Sequence, residues 1–280
     1  MRLRHAVVAE FLGSAMLLAT VVGSGIMGER LAGGNVAIAL LANTLATGAA
    51  LVALIATFIH ISGAHFNPLV TLAEVLLGKL RWKHAGAYLA AQAAGAIGGV
   101  MAAHGMFDLP LLETSHHVRT GLPQWWSEVV ASFGLLTVIL QVAKRRIEFI
   151  PSAVGAYITA AYWFTASTSF ANPTVTIARS LTDTFSGIRP VDAPGFIVSQ
   201  LVGGALAVLL FRWMEERPRI ASGSASLHHA DQSHKVGNRP NSSKRVNGGG
   251  TSTTSSRSTS AADIPSLSHA HISASCSGEP

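Results

Sequence analysis

Two asparagines in this chain each stand directly before a proline, at Asn67-Pro68 and Asn172-Pro173. Asparagine before proline is a helix-start signature. The side-chain oxygen accepts from backbone amides one turn on, and proline lacks the N–H that a first turn leaves unpaired. The carboxamide NH₂ then remains as a donor. Aspartate would cap as well but would leave a fixed negative charge, and serine would not reach as far. A pair of asparagine caps facing one passage would offer donors to a passing oxygen without any net charge. Each helix start also carries about half a positive charge, so two opposed starts repel cations, a hydrated proton included.

The surroundings of the two asparagines match. Asn67-Pro68-Leu69-Val70-Thr71-Leu72-Ala73 aligns with Asn172-Pro173-Thr174-Val175-Thr176-Ile177-Ala178. Upstream, Ala9-Glu10 and Ser14 mirror Ser127-Glu128 and Ser132; downstream, Gln92 with Gly95 mirrors Gln200 with Gly203. A lone Asn-Pro is an ordinary turn-to-helix start. Two copies at the same place in a longer repeat point to a shared site.

Six apolar stretches, at about 5–27, 36–58, 83–103, 124–143, 151–168 and 194–214, are long enough to cross about 30 Å of hydrocarbon as helices of roughly 20 residues. Residues 67–77 and 172–181 are shorter. At 1.5 Å per residue about eleven residues span roughly 16 Å, half that thickness. Each repeat, about 5–103 and 124–214, holds three full spans, an odd number, so the second copy enters the membrane inverted. The expected fold is an all-α membrane protein with six transmembrane helices and two re-entrant half-helices. The irregular segments 61–66 and 167–171 are permitted at membrane depth only where they line a cavity, to which their carbonyls offer acceptors.

Composition agrees. Of 280 residues 49% are hydrophobic and 12% charged, about half the charge of an ordinary soluble domain. The net charge of +6 does not gather on one stripe, which argues against nucleic acid. The run from Met1 to Gly25 has features of a signal peptide, but Glu10 interrupts it and a later segment repeats its pattern, so it reads as a retained first span. With the N-terminus inside, Lys and Arg near the span ends collect on the inner side (Arg2, Arg4, Lys79, Arg81, Lys83, Lys144, Arg145, Arg146, Arg212, Arg217, Arg219). Only Arg30, Arg119, Arg179 and Arg189 fall outside, which puts both termini in the cytoplasm. Residues 1–219 are expected to form the membrane domain. Residues 220–280 read as a disordered tail, and the histidines there (His228, His229, His234, His269, His271) have no ligand spacing. Cys276 is the only cysteine. No nucleophile–base set, phosphate loop or metal cluster is evident, so no enzyme, cofactor or metal is expected.

His60-Ile61-Ser62-Gly63-Ala64-His65-Phe66-Asn67-Pro68 resembles the first signature loop of the aquaporin and glycerol-facilitator superfamily, and Ala171-Asn172-Pro173 the second. The likeness covers about 5–215. It implies a right-handed bundle, usually a homotetramer with one pore per subunit, passing small neutral solutes across a lipid bilayer. It also gives Glu10 and Glu128 a structural role, accepting backbone amides of the re-entrant loops, with Gln92 and Gln200 tying spans to those loops. His60 and His65 then line the cytoplasmic vestibule, one of them a candidate pH gate. The third motif residue, alanine in the family, is Leu69 in one copy and Thr174 in the other.

Where the family usually carries arginine this chain has Val175. Spacing from the motifs puts the other constriction positions at Thr47, Ala160 and Ser169, which makes a wide filter without charge. Such a filter suits polyols or hydroxylated metalloids better than water alone, and losing the arginine lowers one barrier to protons. Arg179 lies two turns along the half-helix from Asn172 and reads as an outer-end residue more than a substitute filter. Asn-Pro-Thr-Val-Thr-Ile-Ala-Arg looks like the bacterial aquaglyceroporins found beside arsenic-resistance genes. That implies an inner-membrane channel for glycerol-like polyols, water and arsenite as neutral As(OH)₃. The alternatives are a water-selective or general aquaglyceroporin without a metalloid role, a secondary transporter, and a non-conducting structural membrane protein.

Overall fold

The computed structural model describes residues 3–215. The tail expected over 220–280, with its histidines and Cys276, lies outside the described residues. The helices are α1 (Leu3–Leu31), α2 (Val36–Ser62), α3 (Pro68–Leu76), α4 (Trp82–Met106), α5 (Leu122–Ala143), α6 (Ile150–Phe164), α7 (Pro173–Arg179) and α8 (Ala193–Glu215). A 3₁₀ turn at Ile147–Phe149 leads into α6. Among the described residues no strand interrupts them.

Helices α1, α2, α4, α5 and α8 are long and apolar enough to cross a membrane. α6 has 15 residues, about 22 Å of helix. The fifth stretch, expected to run to 168, stops at Phe164, where Thr165 turns extended with φ −114° and ψ 138°; Thr168 and Ser169 beyond it adopt φ of 60° and 50°, which a right-handed helix does not contain. The fold is all-α, with six spans and two half-helices in an inverted repeat.

Packing repeats with the sequence. α1 lies against α2 and α4, as α5 lies against α6 and α8. α2 meets α6 between the halves, and each half-helix touches α4 and α8. The core joins Leu17, Leu18 and Val22 of α1 to Leu51 and Ile55 of α2, with Leu135, Val154 and Phe196 from the second half. The outward faces are apolar too: Val8, Leu12 and Met16 on α1, Leu41 and Leu45 on α2, and Val198, Val202 and Leu209 on α8 are exposed. Rows of this size are rare on a water-facing protein and suit contact with lipid.

Candidate functional site: a cavity between two opposed half-helices

α3 and α7 begin where the asparagines cap them. Asn67 Oδ1 accepts from the Leu69 amide at 2.9 Å, and Asn172 Oδ1 accepts from the Thr174 and Val175 amides at 3.0 and 3.3 Å. The tips then lock to each other. Asn67 Nδ2 donates to the Ala171 carbonyl and Asn172 Nδ2 to the Phe66 carbonyl, both at 2.8 Å. One hydrogen of each NH₂ is therefore taken, where the sequence left the whole group free, and the second remains for the lumen. Both asparagines line a cavity of about 320 Å³. The two helix starts face each other across it, so their dipoles oppose a cation there.

The backbone that delivers these caps is strained. Ala64, Phe66, Thr168, Ser169 and Ala171 have φ between 45° and 60°, at a cost of order 1–3 kcal/mol each. Four buried side chains hold it. Glu10 accepts from the His65 and Phe66 amides at 2.9 and 2.7 Å, and Glu128 from those of Phe170 and Ala171 at 2.9 Å each. Gln92 Nε2 bridges Glu10 and Thr71 at 2.8 and 2.9 Å; Gln200 Nε2 bridges Glu128 and Thr176 at 2.6 and 2.9 Å. Ser62 Oγ adds a donor to Glu10 at 2.6 Å and accepts the Ala64 amide at 3.0 Å. The same two-residue device, acid plus amide, thus fixes each loop through the first and last spans of its own half.

The cavity touches His65, Glu74 and Lys79 toward the far end of α3, then the asparagines, then Thr47, Tyr162, Ser169, Val175 and Arg179 toward the far end of α7. Leu51, Ile55, Leu135 and Ile158 make apolar wall between. Val70 and Val175, each three residues past its asparagine, line it in matching places. Leu69 turns away into a cluster with Leu136, Leu140, Val208 and Phe211. Thr174 is buried but is not a lining residue.

Two residues expected at the passage are elsewhere. Ala160 is exposed on the outside of α6. Val154, Ile158 and Tyr162 line the cavity at steps of four, and at about 100° per residue Ala160 lies some 200° from Ile158, on the opposite face. Tyr162 takes the place assigned to Ala160; the four-residue apolar period of α6 was the signal that could have found it. Likewise Ile55 and Ile59 of α2 line the cavity, so His60, one step further round, is exposed and only His65 reaches it.

Arg179 is buried, and its guanidinium carbon lies 3.5 Å from the Phe170 ring centroid. Its Nε donates to the Ser186 carbonyl. Arg119 approaches the same ring at 5.3 Å and donates to the carbonyls of Gly187 at 2.7 Å and Phe185 at 3.4 Å. Val175 and Arg179 are four residues apart and share a face of α7, so the cation borders the cavity one turn beyond the valine. Nearby, the Glu113 and Ser115 amides donate to the Leu181 and Ser180 carbonyls, joining loop 108–121 to loop 180–192. His116 and His117 belong to this seam. The backbone N–H and then the ring of His116, at 2.8 and 3.0 Å, hold the Asp183 carboxyl below the usual aspartate range.

The family profile described as Major intrinsic protein matches residues 1–165. The chain is 55% identical over 212 residues to Aquaglyceroporin AqpS of Rhizobium meliloti (strain 1021), across 76% of this chain and 91% of that one. It is 33% identical over 155 residues to Aquaporin NIP6-1 of Arabidopsis thaliana, spanning 54% of this chain and half of that one. The X-ray structure of the aquaglyceroporin from Plasmodium falciparum aligns with a TM-score of 0.55 at 24% identity, over 75% of this chain and 96% of that one. At that identity the likeness speaks for the fold.

Proposed function

Since the chain belongs to the major intrinsic protein family, we propose that it passes glycerol-like polyols, water and arsenite, as neutral As(OH)₃, down their gradients. It is an aquaglyceroporin-type multi-pass membrane channel and not an enzyme. The observation that carries the finer reading is the character of the passage beyond the asparagine tips. Thr47, Tyr162, Ser169 and Val175 border it with hydroxyls and one aliphatic chain, and the cation Arg179 sits one turn further out. A solute that trades hydration for hydroxyl contacts on one side and apolar contact on the other suits such a lining. Polyols and a trihydroxylated metalloid both have that form.

Glu10, Glu128, Gln92 and Gln200 act in this reading as the brackets of the two re-entrant loops. His65, Glu74 and Lys79 form the cytoplasmic vestibule. The Lys and Arg bias supports both termini inside, in the inner membrane of a bacterial cell, with four copies assembled and a pore in each. Residues 1–219 hold the channel in this reading. A coupled transporter would require unpaired acids along the passage; the lining acid, Glu74, pairs with Lys79 at 3.2 Å. A second reading, a general aquaglyceroporin without a metalloid role, is favoured by Tyr162, which narrows the passage where an alanine was expected.

The deciding experiment is side-by-side uptake of water, glycerol and trivalent arsenite in cells lacking their own channels. Arsenite uptake at the background rate, with glycerol well above it, selects the second reading. No flux of any of the three, with the protein in the membrane, ends both.

A further inference from the structure

A second hollow lies behind α3, away from the cavity. It holds about 170 Å³ between α3, α5 and α8, and every residue lining it is apolar, among them Leu72 and Leu76 of α3, Leu136 of α5, and Leu201 and Val208 of α8. α3 serves both spaces: Val70 and Glu74 line the cavity, whereas Leu72 and Leu76 lie about 200° round the helix from them. Gly204 makes the floor of the hollow, where a Cβ would stand 3.2 Å from Leu136 and 3.4 Å from Leu69. Leu76, Leu201 and Ala205 are exposed, so the hollow is a groove open to the outside of the bundle.

One end of the groove carries charge. Arg212 stands one turn past Val208 on α8, is exposed, and donates from Nη2 to the carbonyl of Leu76, itself a lining residue. A guanidinium has five N–H donors, so most remain for a ligand. Among the described residues Arg212 joins no ion pair, while the lysines at this end do: Lys79 pairs with Glu74 at 3.2 Å and Lys144 with Glu215 at 2.9 Å. Trp213 beside it and Trp82 at the start of α4 are exposed, and exposed tryptophans of a membrane protein gather at the level of the lipid headgroups. An apolar slot ending in an unneutralised guanidinium at that level is complementary to an acyl chain joined to an anionic phosphate. We propose that the groove behind α3 binds one acyl chain of an anionic phospholipid, with Arg212 on the headgroup phosphate. The lipid then forms the outer wall of the half-helix that starts at Asn67 and reinforces the tie between α3 and α8. The groove stands apart from the passage, whatever solute crosses there.

The test adds phosphatidylglycerol or phosphatidylcholine of matched acyl chains to the full chain in detergent and measures the bound lipid by native mass spectrometry. Wild type binds phosphatidylglycerol about fivefold more tightly than phosphatidylcholine, the scale of one cation beside an anionic headgroup. Arg212→Gln removes that preference, and Arg212→Lys, which keeps the charge, retains most of it. Ala205→Phe sets a ring in the groove and lowers the binding of both lipids together. A wild type that does not distinguish the two headgroups overturns the proposal. So does a preference that survives Arg212→Gln, or lipid binding that Ala205→Phe leaves unchanged. In the last case a fall in oligomeric mass gives the groove to a second copy of the chain instead. Should Ala205→Phe fail to fold, the comparison of Arg212→Gln with Arg212→Lys decides alone.

Discussion

Gly95 of α4 and Phe11 of α1 are in backbone contact: a Cβ built on Gly95 would stand 2.2 Å from the Phe11 carbonyl oxygen. Gly203 repeats this in the second half, at 2.3 Å from the Val129 carbonyl. These contacts bring the spans that carry Gln92 and Gln200 close enough for each amide to reach the glutamate of its own half. Gly98, three residues from Gly95, has nothing within 4 Å of its Cβ position.

Gly95→Ala should therefore destabilise the channel by about 1–3 kcal/mol, the usual range for forcing atoms into a packed contact. Gly98→Ala should be neutral. Thermal unfolding in detergent compares the two, and equal midpoints would show that the α1–α4 contact relaxes freely.

Glu128→Gln exchanges an acceptor for an amide that can turn an NH₂ toward the Phe170 and Ala171 N–H groups. Losing such a bond costs about 1–3 kcal/mol, spent on the segment that carries Asn172. Glycerol flux per inserted channel should drop at least about tenfold, and Glu10→Gln should do the same through His65 and Phe66. Stopped-flow light scattering on quantified vesicles measures this. Undiminished flux in both would remove the glutamates from pore support.

Val175→Arg places a second guanidinium one turn inward of Arg179. It should cut glycerol flux more than water flux, since only the larger solute needs the full width. Vesicle shrinkage and reswelling distinguish the two solutes, and equal losses would mean that Val175 does not border the narrowest point.

Arg179→Met removes a buried charge beside the cavity. At ~6 Å and an effective dielectric near 20, that charge repels a passing cation by about 3 kcal/mol. Methylammonium uptake relative to glycerol should rise about tenfold or more in the variant. A constant ratio would show the residue to be only a brace for the Ser186 carbonyl.

The seam at Asp183 responds to acid. Its carboxyl is held below the ordinary value of 3.8, so its stabilising effect is complete above that value and disappears as pH falls through the lower, folded value. Amide protection over residues 113–118, taken relative to the intrinsic exchange rate at each pH, should hold at neutral pH and fall only below about pH 4. Asp183→Asn should lack that protection at neutral pH, show no acid-dependent step, and match wild type once the wild-type carboxyl is protonated. Equal protection in wild type and Asp183→Asn at neutral pH would exclude the coupling.

Much of this site was legible because the chain writes it twice. The repeat of Asn-Pro pointed to two opposed caps, and the family resemblance, with the matching positions of Glu10 and Glu128, pointed to their brackets. What spacing could not deliver was helical phase near a break. Counting back from Asn172 leads to Ala160, but α6 ends at Phe164 ahead of an irregular segment that includes positive φ at Thr168, Ser169 and Ala171, and the side chain lining the cavity is Tyr162. His60 failed for a related reason, since nearness in sequence to Asn67 says nothing of which side of α2 it occupies. Arg179 was placed outward from its distance along α7, while its four-residue step from Val175 already put the two on one side.

The crossed bonds between Asn67 and Ala171 and between Asn172 and Phe66 also set an order of events. When the first three spans have entered the bilayer, Phe66 and Asn67 still lack the groups they will bind, which lie about a hundred residues further along the chain. A half-made chain can thread the membrane, but it has no gateway until its second half arrives to close the clasp.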